Sequence, residues 1–94
     1  MANTKRYRQR NRELMIWYLN HHPCVDCGND DILVLDFDHV PGTKTADVGI
    51  LVSRGASWER IEREMAKCVV RCANCHRRKT AIDFGWYKGK GIGA

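Results

Sequence analysis

Two C-x-x-C pairs constrain the fold of this chain more than any other feature of its sequence. Cys24 and Cys27 form the first pair, and Cys72 and Cys75 form the second. The chain has 94 residues, and a core of that size is marginal without a metal ion or disulfides. Four thiolates can close a tetrahedral zinc site whose binding energy adds to folding. The sequence therefore predicts one structural Zn²⁺, saturated with sulfur and without a catalytic role.

Disulfide bonds are the alternative use of these cysteines. They persist in oxidising compartments, but the longest apolar run near the start, Leu14–Leu19, is too short for a signal peptide or a membrane span. We therefore expect a cytoplasmic protein with reduced thiols and no membrane partner. The fifth cysteine, Cys68, shares an apolar stripe with Ile61 and Met65, which predicts a buried free thiol in preference to a fifth ligand.

Positive charge is concentrated at the N-terminus. The formal net charge is +5, and the basic residues that precede the first acidic residue are Lys5, Arg6, Arg8, Arg10 and Arg12. Residues 4–20 contain no Gly or Pro, and Tyr7, Leu14, Trp17 and Tyr18 recur near helical spacing, which predicts an amphipathic helix. Such a charge attracts nucleic-acid phosphate irrespective of base sequence, although a solvated helix face would look the same.

The remaining sequence predicts an α+β fold in a small zinc-stabilised domain. Residues 32–40 are rich in β-formers and stop at a Pro-Gly turn, so they predict a strand. We expect a short helix or strand near Val48–Val52 and a helix capped by Ser57 whose apolar stripe continues to Cys68. A short basic helix should follow the second cysteine pair, from about Asn74 to Ala81.

We expect a single domain over residues 1–94. It comprises a basic N-terminal helix (1–22), a zinc-braced core (23–82) and a C-terminal tail (83–94). Trp17 and Trp58 lie at helical spacing within apolar stripes, so both are predicted to be core residues.

An acid and two imidazoles provide the parts of a second, catalytic metal site. Asp38 and His39 end the predicted strand, and His76 directly follows the last cysteine. A carboxylate and one imidazole can hold a divalent ion that keeps positions open for phosphate oxygens, while the other imidazole activates water. Asp36 shares a strand face with Asp38 and is a further candidate, as a ligand or as a partner that fixes His76. The competing interpretation makes His76 an outer partner of the zinc knuckle and His39 a turn residue.

These residues, and the runs around them, resemble a known family. The pattern from about Cys24 to Thr80 is similar to the HNH endonucleases, whose site is a ββα-metal finger, and in particular to small HNH proteins encoded by tailed phages. The segments that carry the resemblance are Leu35–Val40, Ser57–Glu59 and Lys67–Thr80.

The resemblance implies a role for each matching position. Asp38 and His76 would bind the catalytic metal and His39 would be the general base. Lys67 stands where the family's middle Asn is expected, so the residue that orients the base is missing there, and Asn74 or a backbone carbonyl would have to substitute. The residues that would meet DNA phosphates are Arg77, Arg78 and Lys79.

The sequence thus predicts a metal-dependent DNA endonuclease of HNH type with weak sequence selectivity. One carboxylate and one imidazole suit several catalytic ions, namely Mg²⁺, Mn²⁺, Ni²⁺ or Zn²⁺. The resemblance further implies 5′-phosphate and 3′-hydroxyl products and, for phage members, action in the host cytoplasm beside the terminase large subunit during genome packaging. The alternative is a zinc-stabilised DNA-binding or adaptor module without catalysis.

Overall fold

The computed structural model describes residues 4–86 as a small α+β domain with four α-helices and a two-stranded sheet. The predicted tail lies outside the described residues from position 87 onward. In chain order the elements are α1 (Thr4–Asn20), a 3₁₀ turn (Ile32–Val34), β1 (Leu35–His39), α2 (Val48–Ser53), α3 (Trp58–Met65), β2 (Cys68–Cys72) and α4 (Ala73–Asp83).

The sheet consists of β1 and β2, which pair antiparallel. Leu35 lies opposite Cys72 at one end of the register, and His39 lies opposite Cys68 at the other. Because β2 runs directly into α4, the sheet places the second cysteine pair and the start of α4 beside the beginning of β1.

Two apolar clusters form the core, and α1 touches both. Met15 and Tyr18 of α1 and Phe37 of β1 pack against each of the two clusters. The first cluster surrounds the cysteines and contains Leu19, Cys24, Leu35, Val70, Cys72 and Cys75. The second lies between α2 and α3 and contains Val48, Leu51, Val52, Ile61 and Met65.

The predicted N-terminal helix is confirmed, but its buried face differs from the predicted one. The buried residues are Asn11 and Leu19, and the Asn11 side-chain amide donates to the backbone oxygen of Ala56 at 3.0 Å. This bond ties α1 to the loop between α2 and α3. The prediction that Trp17 is a core residue is wrong, because its side chain is 60% exposed and its ring packs on His21, with centroids 4.6 Å apart.

Two further predictions need correction at element boundaries. The strand predicted for residues 32–40 begins only at Leu35, because the Asp31 carboxylate accepts a hydrogen bond from the Leu33 backbone at 3.0 Å and closes a 3₁₀ turn there. The helix capped by Ser57 is confirmed, but it ends at Met65, and Cys68 starts β2. Cys68 still packs against the second cluster.

The helices of the described region differ from membrane-spanning ones. Within residues 4–86, none has both the length and the apolar character needed to cross a bilayer.

Candidate active site and metal centre

The four cysteines of the two C-x-x-C pairs converge on one point. Their sulfur atoms all lie within 4.8 Å of one another, and the Cys27 and Cys72 sulfurs are 3.7 Å apart. Zinc bound at about 2.3 Å to four sulfurs holds them about 3.8 Å apart, so these thiols fit that ion. Gly28 closes the first turn with a φ of 77°, a left-handed conformation that glycine adopts without strain.

Hydrogen bonds from backbone amides favour the ionised form of these thiols, which is the form that binds a cation. Cys72 caps α4, and its Sγ accepts a hydrogen bond from the Cys75 N–H at 3.4 Å. Burial opposes ionisation of Cys24, but the backbone N–H groups of Cys72, Cys27 and Asp26 donate to its sulfur, so the pKa of this thiol falls to about 6. Since zinc binds thiolates, this arrangement favours the metal-bound form.

On the outer face of β1, two carboxylates flank one imidazole. Asp38 Oδ1 lies 3.6 Å from Nε2 of His76, and Asp36 Oδ2 lies 3.8 Å from Nδ1 of the same ring. Asp36 and Asp38 share this face because they are two residues apart on a strand. His76 reaches them from the first turn of α4, which the cysteine cluster anchors. The structure therefore brings together the three residues that the sequence nominated for a catalytic cation.

Arg71 connects the Asp38 carboxylate to the cysteine knuckle. Its Nη1 donates to Asp38 Oδ2 at 2.6 Å, and its Nε donates to Asp26 Oδ2 at 2.5 Å. Asp26 lies inside the first C-x-x-C pair, and the hydrogen bond from Arg71 is the main reason that the pKa of Asp26 is lowered. One oxygen of Asp38 is thus held by a guanidinium while the other faces His76.

His39 lies on the opposite face of β1 and contacts a buried acid. Its Nε2 is 2.8 Å from Oε2 of Glu64, a residue that is only 4% exposed. The same oxygen accepts backbone N–H groups of Thr45 and Ala46 at 3.0 and 3.3 Å, and Lys67 Nζ donates to the other oxygen at 3.0 Å. Burial opposes ionisation of Glu64, but these donors lower its pKa to about 2.

A cavity of about 430 Å³ joins the two faces of β1. It lies between α1, β1 and residues 44–49. Asp36 and His76 line it from one face of the strand, and His39 lines it from the other, with Lys44 at its wall. The predicted base and two of the candidate cation ligands, Asp36 and His76, therefore border one solvent space.

The predicted DNA-binding residues differ in how far they are available. Arg77 and Arg78 are exposed on α4 next to His76, whereas Lys79 Nζ is bound to the Asp83 carboxylate at 2.6 Å. On α1, Lys5, Arg6 and Arg12 are exposed and Arg8 is half-buried. Arg10 is half-buried and donates to Asn11 at 3.0 Å, so it serves the packing of α1.

Sequence reasoning missed Glu64 and proposed a different partner for His39. Asn74 is exposed on α4, and the side chain that contacts His39 is that of Glu64. A signal was present, because Glu64 lies within the buried stripe of α3 between Ile61 and Met65. A carboxylate in such a stripe needs buried donors, and His39 and Lys67 are two of them.

In comparisons with known proteins, the chain matches no family model, no curated protein and no solved structure.

Proposed function

We propose that this protein is a metal-dependent DNA endonuclease of HNH type, with β1, β2 and α4 as its ββα-metal motif and with zinc in the cysteine cluster. The observation that carries the proposal is the approach of the Asp38 carboxylate to the His76 imidazole, 3.6 Å apart, together with a cavity that His76 and His39 both line. The antiparallel strands followed directly by a helix support the same motif.

Asp38 and His76 are suited to hold one divalent cation. A cation bound at about 2.1 Å to each donor can join atoms up to about 4.2 Å apart, and the observed separation is 3.6 Å. Asp36, on the other ring nitrogen of His76, would orient the imidazole. A cation in this place supplies charge for the developing phosphoryl and leaving-group oxygens. Mg²⁺, Mn²⁺, Ni²⁺ and Zn²⁺ are all compatible with one carboxylate and one imidazole.

His39 is the group that would take a proton from the attacking water. It borders the same cavity as Asp36 and His76, so a water molecule there has access to the imidazole and to a phosphate held at the cation. Proton transfer by a positioned base is worth about 10²–10⁴-fold in rate.

The basic groups favour contacts with the DNA backbone. Arg77 and Arg78 follow His76 and are exposed on α4, and the exposed basic residues of α1 add sequence-independent attraction. Phosphate contacts position the duplex without reading bases, so we expect weak sequence selectivity. Action beside a phage terminase large subunit, in the host cytoplasm, is part of this proposal only through the resemblance of the sequence.

A plasmid assay tests the proposal. Purified protein is incubated with supercoiled plasmid and Mg²⁺, Mn²⁺ or Ni²⁺, alongside His39→Ala and the matched control His22→Ala, which changes an exposed imidazole at the end of α1. We expect metal-dependent nicking by the parent and by the control, and a loss of about 10²-fold or more in His39→Ala.

The alternative function is a zinc-stabilised DNA-binding or adaptor module without catalysis, and Lys67 at the position of the family's middle Asn is the observation that favours it. Plasmid binding without nicking by the parent, or equal nicking by parent and His39→Ala, would support this module and reject the enzyme.

A further inference from the structure

Glu64 is a buried carboxylate whose two oxygens are both engaged. Oε2 contacts the His39 ring at 2.8 Å and two backbone N–H groups, of Thr45 and Ala46. Oε1 accepts from Lys67 Nζ, which also donates to the Thr45 hydroxyl at 2.6 Å. Burying an ionised carboxylate costs several kcal/mol unless such donors surround it. Four parts of the chain thus meet at this acid beside the proposed base, namely the end of β1, the segment that follows it, α3, and the turn before β2.

We propose that Glu64, fixed by Lys67, is the positioning residue that selects the tautomer and orientation of His39. Lys67 then has a role at the position where HNH sequences carry Asn, because its ammonium donates a hydrogen bond to Glu64, and Glu64 in turn contacts His39. The catalytic consequence of this inference rests on the proposed function, whereas its structural consequence does not.

The tautomer follows from hydrogen-bond chemistry. An ionised carboxylate can only accept, so the short contact between Glu64 and His39 requires hydrogen on Nε2 of the ring. A neutral imidazole then carries its free lone pair on Nδ1. With Nε2 turned to the interior, Nδ1 is the nitrogen that can accept a proton from a water molecule.

The same contact stabilises the ring after proton transfer. When Nδ1 takes a proton, positive charge develops on an imidazole that lies 2.8 Å from a carboxylate oxygen. A buried acid in this relation to a histidine base orients the ring and stabilises the imidazolium without being protonated itself. Loss of the charge on Glu64 should therefore slow the chemical step more than it weakens DNA binding.

A second role for Glu64 is purely structural, because it also anchors the backbone at Thr45 and Ala46. Glu64→Gln tests the charge alone, since its amide oxygen can take the place of Oε2 and accept the same backbone N–H groups and the ring hydrogen. Glu64→Leu removes the acceptor itself. The matched control is Glu62→Gln, which changes an exposed acid on the same helix.

The first measurement is independent of nuclease activity. Long-range ¹H–¹⁵N correlation spectra of the zinc-loaded full chain, recorded under conditions where the ¹⁵N shifts themselves show a neutral ring, report which nitrogen of each histidine carries hydrogen. We expect a single Nε2–H tautomer for His39 in the parent, in Glu62→Gln and in Glu64→Gln, and a mixture in Glu64→Leu. A parent in the Nδ1–H tautomer, or a Glu64→Leu variant with an unchanged tautomer, overturns the inference.

The second measurement is nicking with Mn²⁺ and plasmid. We expect kcat of Glu64→Gln to fall by about 10- to 100-fold, a part of what a general base contributes, with KM for plasmid changed by less than about twofold. Zinc content should stay at one ion per chain. Equal kcat values for Glu64→Gln and Glu62→Gln, or a loss confined to KM, would leave Glu64 with its structural role only.

A third variant covers the case in which Glu64→Gln does not fold. Lys67→Met removes the ammonium from a side chain that is 32% exposed and leaves the carboxylate in place. It should lower kcat by less than Glu64→Gln does and shift the His39 ring resonances, and unchanged resonances together with unchanged kcat argue against the Lys67 role. A parent that nicks no plasmid rejects the proposed function, and the tautomer measurement then decides the inference alone.

Discussion

Removal of the structural ion is the most decisive perturbation of this fold. Cys24 and Cys72 are each 3% exposed and Cys75 is 7% exposed, and all three belong to the first core cluster. Structural zinc binding by such sites is worth about 10–16 kcal/mol, whereas a whole domain is stable by about 5–15 kcal/mol. Loss of the ion therefore removes as much free energy as folding provides, and we expect Cys72→Ser to be unfolded and free of zinc.

The fifth cysteine supplies the matched control. Cys68 lies outside the four-cysteine cluster, and its thiol donates to the Glu64 backbone oxygen at 3.4 Å. Burial raises the pKa of this thiol to about 11, so it remains neutral. Cys68→Ser should cost about 1 kcal/mol, the common size of a single substitution, and should retain zinc.

Metal analysis and thermal unfolding followed by circular dichroism, with and without a chelator, measure both effects. A parent protein without zinc, or a cooperative melting transition that survives both Cys72→Ser and the chelator, would refute the metal-brace reasoning.

Three further outcomes follow from individual contacts. Ile61→Ala should lower the free energy of unfolding by about 2–5 kcal/mol in denaturant titrations, because Ile61 is fully buried in the second cluster; a change below about 1 kcal/mol would contradict that packing. The pKa of Glu64 is lowered from 4.5 to about 2, so its ionised form contributes stability that is fully present above pH 4.5 and lost as the pH falls toward 2. Acid titrations of parent and Glu64→Gln should therefore converge through this window, and parallel curves would argue against it. Arg77→Ala and Arg78→Ala should each reduce the slope of log K for DNA against log salt by about 0.9 if each side chain meets one phosphate, and unchanged slopes would place DNA elsewhere.

Local signals in the sequence were sufficient to predict several of the helices. The absence of Gly and Pro from residues 4–20 marked α1 correctly. Ser57 caps α3 as predicted, and its side-chain oxygen accepts a hydrogen bond from the Arg60 N–H. Which side of α1 is buried was harder to predict from the sequence. Its buried side contains Asn11, whose amide meets Ala56, so a polar residue takes a core position while Trp17 is exposed. That choice depends on a loop distant in the sequence and has no local signal.

In the candidate site, too, some contacts were predictable from the sequence and others depend on tertiary packing. Strand alternation predicted that Asp36 and Asp38 share a face, and His76, directly after the last cysteine, was a candidate for the same site as Asp38; both relations are present in the structure. The partner of His39 was not predictable from a motif. Glu64 reaches it only because α3 packs so that one acid of its buried stripe faces the end of β1, which is a matter of tertiary arrangement.

The structural and catalytic halves of the prediction are joined by one guanidinium. Arg71 precedes Cys72 of the cysteine cluster in the chain and binds Asp26 and Asp38 at once. The planar guanidinium of Arg71 can hydrogen-bond to two carboxylates at once only while both stay at fixed positions. Asp26 keeps its position because the cysteines on either side of it belong to the cysteine cluster. Loss of an ion from the cysteine cluster would therefore release Asp26 and Arg71, and with them the Asp38 carboxylate, whose other oxygen faces His76. The cysteine cluster thus holds the cation ligands in register even though no sulfur atom takes part in the proposed reaction.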